Sequence, residues 1–392
     1  MQRSKHFFLV AALTIFSVGI SFASAASAPP EMTPLLLAVA DAPIPFHGSD
    51  GRVHLVYELQ MTNFSSGDAA LQKVEIMGDG TVLQTLDTAT IGRRLQPAGE
   101  RQSTSTLTKG SRATLFLHVI LPPNASAPEE LSHRVAGNFT AAPPGKQAIT
   151  ETGGKTVVDN RAVAKIGPPL RGDGYISADS CCDAVRHTRA ALPVNGRIWV
   201  AQRYAVDWEQ LNDGARIYAG PREKLQSYAI FGKPVLAVAD SVVDSVTADP
   251  DEQTPGKYPT NITLAAADGN CVILKLGEHQ YALYAHMQPG SILVHEGQKV
   301  KRGETIGLVG NTGNSVAPHL HFQMNDGPSP MASNGLPYEI GSFEITGETL
   351  GTEAFDKAES EGTVVEIKPV APPRRVENAL PLDQLVISFK AQ

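Results

Sequence analysis

The chain has 392 residues, 42% of them hydrophobic and 19% charged, which is enough apolar material for sizeable cores and excludes wholesale disorder or a fibrous repeat. Lysine and arginine number 33 against 40 acids, a formal charge of -7 with no long basic run, which argues against a nucleic-acid partner. Aromatic residues make up 6%, whereas 35 Gly and 28 Pro call for many turns, so the expected fold class is all-β, built of short strands with very little helix.

At the amino terminus Arg3 and Lys5 precede an apolar stretch from Phe7 to Ile20, followed by the small residues Ala23-Ser24-Ala25. This is the layout of a secretory signal peptide, assigned to residues 1–25. Ser17, Gly19 and Ser21 interrupt the stretch too early for a spanning helix, which needs roughly 18 or more apolar residues. No later run is long and apolar enough either. The expected product is exported, periplasmic or extracellular, with no stable membrane insertion after signal removal.

Residues 32–135 alternate apolar and polar in short runs, as in Val53-His54-Leu55-Val56-Tyr57-Glu58-Leu59 and Thr114-Leu115-Phe116-Leu117-His118-Val119-Ile120. With turn signals such as Gly78-Asp79-Gly80 between them, they predict an immunoglobulin-like antiparallel β-sandwich of about seven strands. His47, His54, His118 and His133 are scattered through it without a catalytic cluster, so the sandwich reads as a positioning or binding module. Residues 136–180, broken by Pro143-Pro144-Gly145, Gly153-Gly154 and Pro168-Pro169, read as a linker. A second domain over 181–347 carries the chemical signals. Residues 348–392 form a C-terminal extension with strands near Thr363 to Pro369 and at Leu385-Val386-Ile387-Ser388-Phe389. Of the three cysteines, Cys181 and Cys182 are adjacent, and disulfide geometry resists so short a ring, so the expected bridge joins one of them to Cys271.

The decisive stretch comprises Tyr284-Ala285-His286, then Gly310-Asn311-Thr312-Gly313, then Pro318-His319-Leu320-His321-Phe322. In a strand side chains repeat every two residues, so His319 and His321 share one face while Leu320 and Phe322 pack behind. Imidazoles so converged suit zinc, and a carboxylate would add a third ligand and leave one position for water. Asp207, in the apolar run Tyr204-Ala205-Val206-Asp207-Trp208, is the candidate, because an unpaired carboxylate there would be costly. His279 and His295 lie beside turns and are expected to be solvated, while Trp208, Tyr204 and Phe322 are expected to pack the sheet. No G-x-S-x-G elbow, phosphate loop or dinucleotide fingerprint occurs.

From about Ala201 to Asn325 the sequence resembles the lysostaphin-like, LytM-type zinc endopeptidases, secreted enzymes that cut peptide cross-links of bacterial cell walls; its Gly-Asn-Thr-Gly-Asn-Ser, Pro-His-Leu-His-Phe, Tyr-Ala-His and Gly-Lys-Pro-Val-Leu-Ala-Val-Ala-Asp segments match. The resemblance implies a β-sheet groove domain of the duplicated hybrid motif type, zinc as cofactor, and a peptidoglycan or other extracytoplasmic peptide as partner. By the same resemblance Asp207 and His321 are metal ligands, and His286 and His319 polarise the water and stabilise the oxyanion.

One position departs from the pattern. Where the family has a histidine ligand, four residues before the aspartate, this chain has Arg203, whose guanidinium cannot bind a cation. Hairpin geometry around Asn195-Gly196 offers a replacement. A three-residue turn places His187 opposite Arg203, whereas a two-residue turn pairs Thr188 with Arg203 and points His187 away. Two functions therefore stand: a secreted zinc metalloendopeptidase acting on cell-wall peptides, or a catalytically impaired binding or regulatory protein in which Arg203 pairs with Asp207.

Overall fold

Alternation with a period of two decides the layers of this chain. The computed structural model describes residues 32–183 and 185–390, so the predicted signal segment lies outside the described residues. The described residues from 34 onward cluster as one unit. Its first part holds two five-stranded sheets: one runs Leu35–Val39, Val53–Asn63, Arg112–Ile120, Leu95–Pro97 with Phe46–His47 paired to the second strand; the other runs Ala148–Val157, Glu130–Phe139, Ala69–Gly78, Thr81–Asp87 with Thr106–Leu107 paired to the third. Leu55, Tyr57 and Leu59 on one sheet and Val74, Ile76, Leu131 and Val135 on the other fill a shared core. The sandwich thus has ten strands and reaches Val157. Residues 136–180, expected as a linker, instead carry Ala148–Val157, Ala164–Ile166 and Gly172–Ala178, because the glycines read as breakers sit at a bulge between Gly153 and Thr156 inside a continuing ladder.

The alternate residues of Val53–Asn63 do not face water. Val56 and Phe46 enter the core of the second part of the molecule, together with Trp208, Tyr284, Phe322 and Tyr338. That core backs an eleven-stranded sheet. From Ala164–Ile166 its order is Tyr338–Thr349, Leu385–Phe389, Gly172–Ala178, Val206–Gln210, Leu320–Asn325, Gln280–Met287, Asn270–Gly277, Ser241–Thr247 and Lys299–Val300, with Ile367–Ala379 paired to Tyr338–Thr349. The C-terminal extension is therefore built in, its apolar run Leu385–Phe389 being an inner strand. Helix is confined to Thr88–Arg94, Thr352–Glu361 and two short 3-10 turns among the described residues. The second helix buries Phe355 and Ala358 and ends at Gly362, whose φ of 66° is the left-handed geometry of a helix C-cap. No helix among the described residues is long and apolar enough to cross a membrane.

The expected bridge to Cys271 is corrected. Cys181 and Cys182 are bonded to each other, their Cα atoms 3.0 Å apart across a cis peptide. Cys271 is a free, buried thiol packed with Ile273, Leu283 and Ala285, in a different cluster from the cysteine pair, and burial pushes it up to about 11.

Within the sandwich, His133 is wholly buried, with its Nε2 2.8 Å from the Tyr57 hydroxyl and its Nδ1 3.2 Å from the Gly154 carbonyl oxygen. Burial lowers it to about 4, whereas an unfolded histidine titrates near 6.5. Acidification from about pH 6.5 to 4 protonates the unfolded chain first, so stability falls across that window, by up to about 3 kcal/mol at below pH 4. Denaturant unfolding of His133→Gln between pH 7 and 4 is expected to show a weaker pH slope than the parent; an identical slope would remove His133 as its source.

Candidate active site

Three neighbouring strands bring the polar residues together. In Val206–Gln210 the side chains of Val206 and Trp208 point into the core, which turns Asp207 to the opposite face. Asp207 lies directly across the ladder from His321, and His321 lies across from Ala285 on the next strand, so His286 follows at its end. Leu320 and Phe322 are fully buried behind, as the alternation requires. His321, Gln323 and Asn325 occupy alternate positions of the strand Leu320–Asn325, and His319 immediately precedes it.

Hydrogen bonds orient each ring. The Nε2 of His321 meets Gln323 Oε1 at 2.8 Å; the Gln323 amide nitrogen in turn donates to Asn325 Oδ1 and the Pro330 carbonyl, so Gln323 Oε1 accepts. The His321 Nδ1–H donates to Asp207 Oδ1, 2.8 Å away, so this ring carries a proton on both nitrogens and the Nδ1 proton is the one a cation would displace. His286 donates Nδ1–H to the Thr312 carbonyl at 2.7 Å and His319 donates Nδ1–H to the Ala317 carbonyl at 2.8 Å. Thr312 is held by its own hydroxyl, which receives Asn270 N–H and donates to the Met287 carbonyl. Gly313 makes this turn possible: at φ +75° a Cβ would sit 2.3 Å from Gly269 N.

His187 joins the group by a path other than the hairpin. Leu192–Val194 pairs with Arg197–Trp199 through a two-residue Asn195-Gly196 turn, both residues at positive φ. The pairing ends after three residues, so the register reaches neither His187 nor Arg203. Instead, the segment after the cysteine pair folds back and His187 donates Nδ1–H to the Asp179 carbonyl at 2.9 Å. Its Nε2 then lies 3.5 Å from Asp207 Oδ2. One ligand atom each from His187, Asp207 and His321 falls within 4.8 Å of the others. His319 Nε2 stands 3.5 Å from Asp207 Oδ1, and the His286 ring centre is 4.7 Å from that of His319.

Four imidazoles around one carboxylate set the electrostatics. Burial alone would raise Asp207, but the neighbouring His187, His319 and His321 hold it well below the usual carboxylate range. Burial, followed by the proximity of His319 and His321, pushes His286 well down, and burial pushes His187 down. Burial would lower His321 as well, yet the hydrogen bond and charge of Asp207 win and raise it. The donor set of the His187 and His321 inner nitrogens, the latter giving up its proton on binding, and one carboxylate oxygen, with every outer nitrogen already bonded to an oxygen acceptor, fits a zinc ion. These side chains line a cleft of about 760 Å³, lined also by Glu209, Arg222 and, from the C-terminal helix, Asp356 and Glu359.

Arg203 does not pair with Asp207. Its guanidinium donates from Nη2 and Nε to the two Glu58 carboxylate oxygens at 2.6 and 2.9 Å, and both side chains are at least nine-tenths buried. The position that could hold a ligand is thus spent on a bidentate ion pair to the sandwich. Removing one partner of such a pair leaves a buried charge, at a cost of about 3–5 kcal/mol. Arg203→Met is expected to lose about that much in denaturant unfolding without changing zinc content, and Glu58→Leu added to it should restore most of the loss. A zinc deficit in the single variant would place Arg203 in the metal site instead.

Sequence reasoning missed Gln323, Asn325, Asp179 and Glu58. Gln323 and Asn325 were within reach, since they continue the two-residue period of His319 and His321.

Residues 225–333 match Peptidase family M23. The chain is similar to "Peptidoglycan DD-endopeptidase ShyA" of Vibrio cholerae, 46% identical over 56 residues, which is 14% of this chain and 13% of that protein. It is also similar to an "Uncharacterized metalloprotease" of Haemophilus influenzae, 36% identical over 94 residues, 24% of this chain and 16% of the relative. The match thus spans less than a fifth of the length of either relative. Among solved structures, the catalytic domain of lysostaphin from Staphylococcus simulans aligns over 42% of this chain and 86% of its own, at 23% identity and a TM-score of 0.22.

Proposed function

We propose, on the premise that residues 225–333 form a LytM-type peptidase M23 domain, that this chain is an exported zinc metalloendopeptidase hydrolysing peptide bonds of cell-wall peptidoglycan. The observation that carries the reading is the arrangement of four imidazoles: each outer nitrogen is bonded to an oxygen acceptor, and the inner nitrogens of His187, His319 and His321 stand 2.8 to 3.5 Å from Asp207. His187 Nε2, a carboxylate oxygen of Asp207 and His321 Nδ1 would hold the zinc, with His187 taking the place left by Arg203. Bound there, zinc supplies a Lewis acid for the scissile carbonyl and brings the pKa of a water to about 7. His319, its Nδ1–H committed to Ala317, accepts a proton at Nε2 from the attacking water and returns it to the leaving amine. His286, its Nδ1–H committed to the Thr312 carbonyl and its ring kept neutral by burial, presents an unprotonated Nε2 in the same cleft, so it would stabilise an oxyanion only after taking up a proton there, as when the attacking water is deprotonated. Export rests on the residue pattern of 1–25. The substrate class is supported by the names of the relatives, one of them a peptidoglycan endopeptidase.

Purified protein incubated with isolated cell-wall sacculi is expected to release new amino groups, to stop after chelation and to resume on addition of zinc. Release unaffected by chelator, or none at any zinc level, would overturn the proposal. His187→Ala is expected to weaken zinc binding by more than the roughly 10–100-fold that loss of an outer-shell partner costs, as read by competition with a chromogenic chelator. Unchanged affinity would dismiss His187 as a ligand.

A further inference from the structure

A second set of metal-ligating side chains lies outside the cleft, where the sandwich meets the cysteine pair. His54 and His118 project from the outer face of adjacent strands, Val53–Asn63 and Arg112–Ile120, the face that carries Val56 and Glu58 toward the rest of the molecule. Their rings stack with centres 5.1 Å apart, and His54 Nδ1 lies 2.8 Å from His118 Nε2. Each outer nitrogen meets a carboxylate: His54 Nε2 lies 2.9 Å from Asp50 Oδ1, and His118 Nδ1 lies 3.2 Å from Asp183 Oδ2. Asp183 is itself paired with Arg94 at 2.5 Å, and Asp50 accepts the Arg52 N–H, so both carboxyls act as acceptors and call for N–H on the outer nitrogens. The two inner nitrogens, aimed at each other, are then left with one shared proton between them. The Cys182 sulfur completes the group: it and one nitrogen of each ring lie within 4.8 Å of one another. His54 is fully buried and Cys182 nearly so.

Two imidazoles oriented by carboxylates, with a sulfur within 4.8 Å of one nitrogen of each, have the arrangement of a zinc-class ligand set, in which an outer carboxylate fixes each histidine. Only the disulfide withholds the sulfur. We infer that His54, His118 and Cys182 form a redox-gated binding site for a zinc-class divalent cation, available when the Cys181–Cys182 bond is reduced. A dithiol reductant gives two electrons and two protons to that bond and leaves as a disulfide, and two cysteine thiols result. On metal entry the Cys182 thiol releases its proton to solvent, and so does the histidine pair its shared one. The rings need to separate only slightly, because two nitrogens at about 2.0–2.1 Å from a tetrahedral ion stand roughly 3.3 Å apart.

This site is independent of the proposed activity, and full-length Asp207→Ala isolates it. Dialysed against zinc alone, the oxidised variant is expected to hold no tightly bound ion; after treatment with a water-soluble phosphine, which is oxidised to its oxide as it reduces the disulfide, it should hold one. In the otherwise unchanged protein the same treatment should raise the content from one to two, an arm that needs no variant. Cobalt added to the reduced protein should give a thiolate-to-cobalt charge-transfer band in the near ultraviolet. His118→Gln, with both cysteines intact, should lose the additional ion and the band. No gain on reduction, an equal gain without it, or a gain that survives His118→Gln would overturn the inference, the last by showing that the free cysteine pair binds alone.

Discussion

Asp207→Ala is expected to give a folded protein that binds no zinc in the cleft and cuts no peptide. Asp207 is the one anionic donor among the gathered ligand atoms, and His187, His319 and His321 all direct a nitrogen at it, from 2.8 to 3.5 Å. Without it, three imidazoles, two of them buried, lose their shared acceptor and the ion its charge-bearing ligand. The fall in zinc affinity should exceed the roughly 10–100-fold seen when only an outer-shell partner is lost. Folding should survive, because the core-facing side chains of that strand, Val206 and Trp208, are untouched. Circular dichroism with equilibrium dialysis checks both points. Full zinc occupancy in a folded Asp207→Ala protein would be incompatible with the assignment.

His319→Ala is expected to split binding from turnover. Its Nε2 is 3.5 Å from Asp207 Oδ1, whereas the Nδ1 of His321 approaches the same oxygen at 2.8 Å; His319 is also the more open of the two. Removal of a proton-transfer group costs about a hundredfold or more in rate. Zinc content should remain near one per chain while kcat on cross-linked wall peptides falls at least that far. If zinc and activity fell together, His319 would be a ligand rather than the proton carrier.

Much of the cleft was legible because short-range periodicity governs it. The two-residue repeat placed His319 and His321 on one face, and the apolar setting of Asp207 marked a carboxylate in need of partners. The ladder then supplied what a single sequence cannot, the register that opposes Asp207 and His321. His187 was unreadable for a different reason. Hairpin reasoning extrapolated a register through residues that form no ladder, whereas the actual support is the Asp179 carbonyl, a backbone group any residue could offer. The Glu58–Arg203 pair, 145 positions apart in the chain, was equally out of reach. So was the double burial of Val53–Asn63, whose alternation reads as a face in water but packs on a second core. The C-terminal helix Thr352–Glu361 escaped because only Phe355 and Ala358 mark its buried side.

Crystals of the protein grown with one equivalent of zinc, with anomalous data collected on both sides of the zinc edge, test the central claim most directly. A peak within about 2.0–2.2 Å of His187 Nε2, an Asp207 carboxylate oxygen and His321 Nδ1 is the expected result. A fully occupied ion without His187 among its ligands, or no peak between Asp207 and His321, would contradict it.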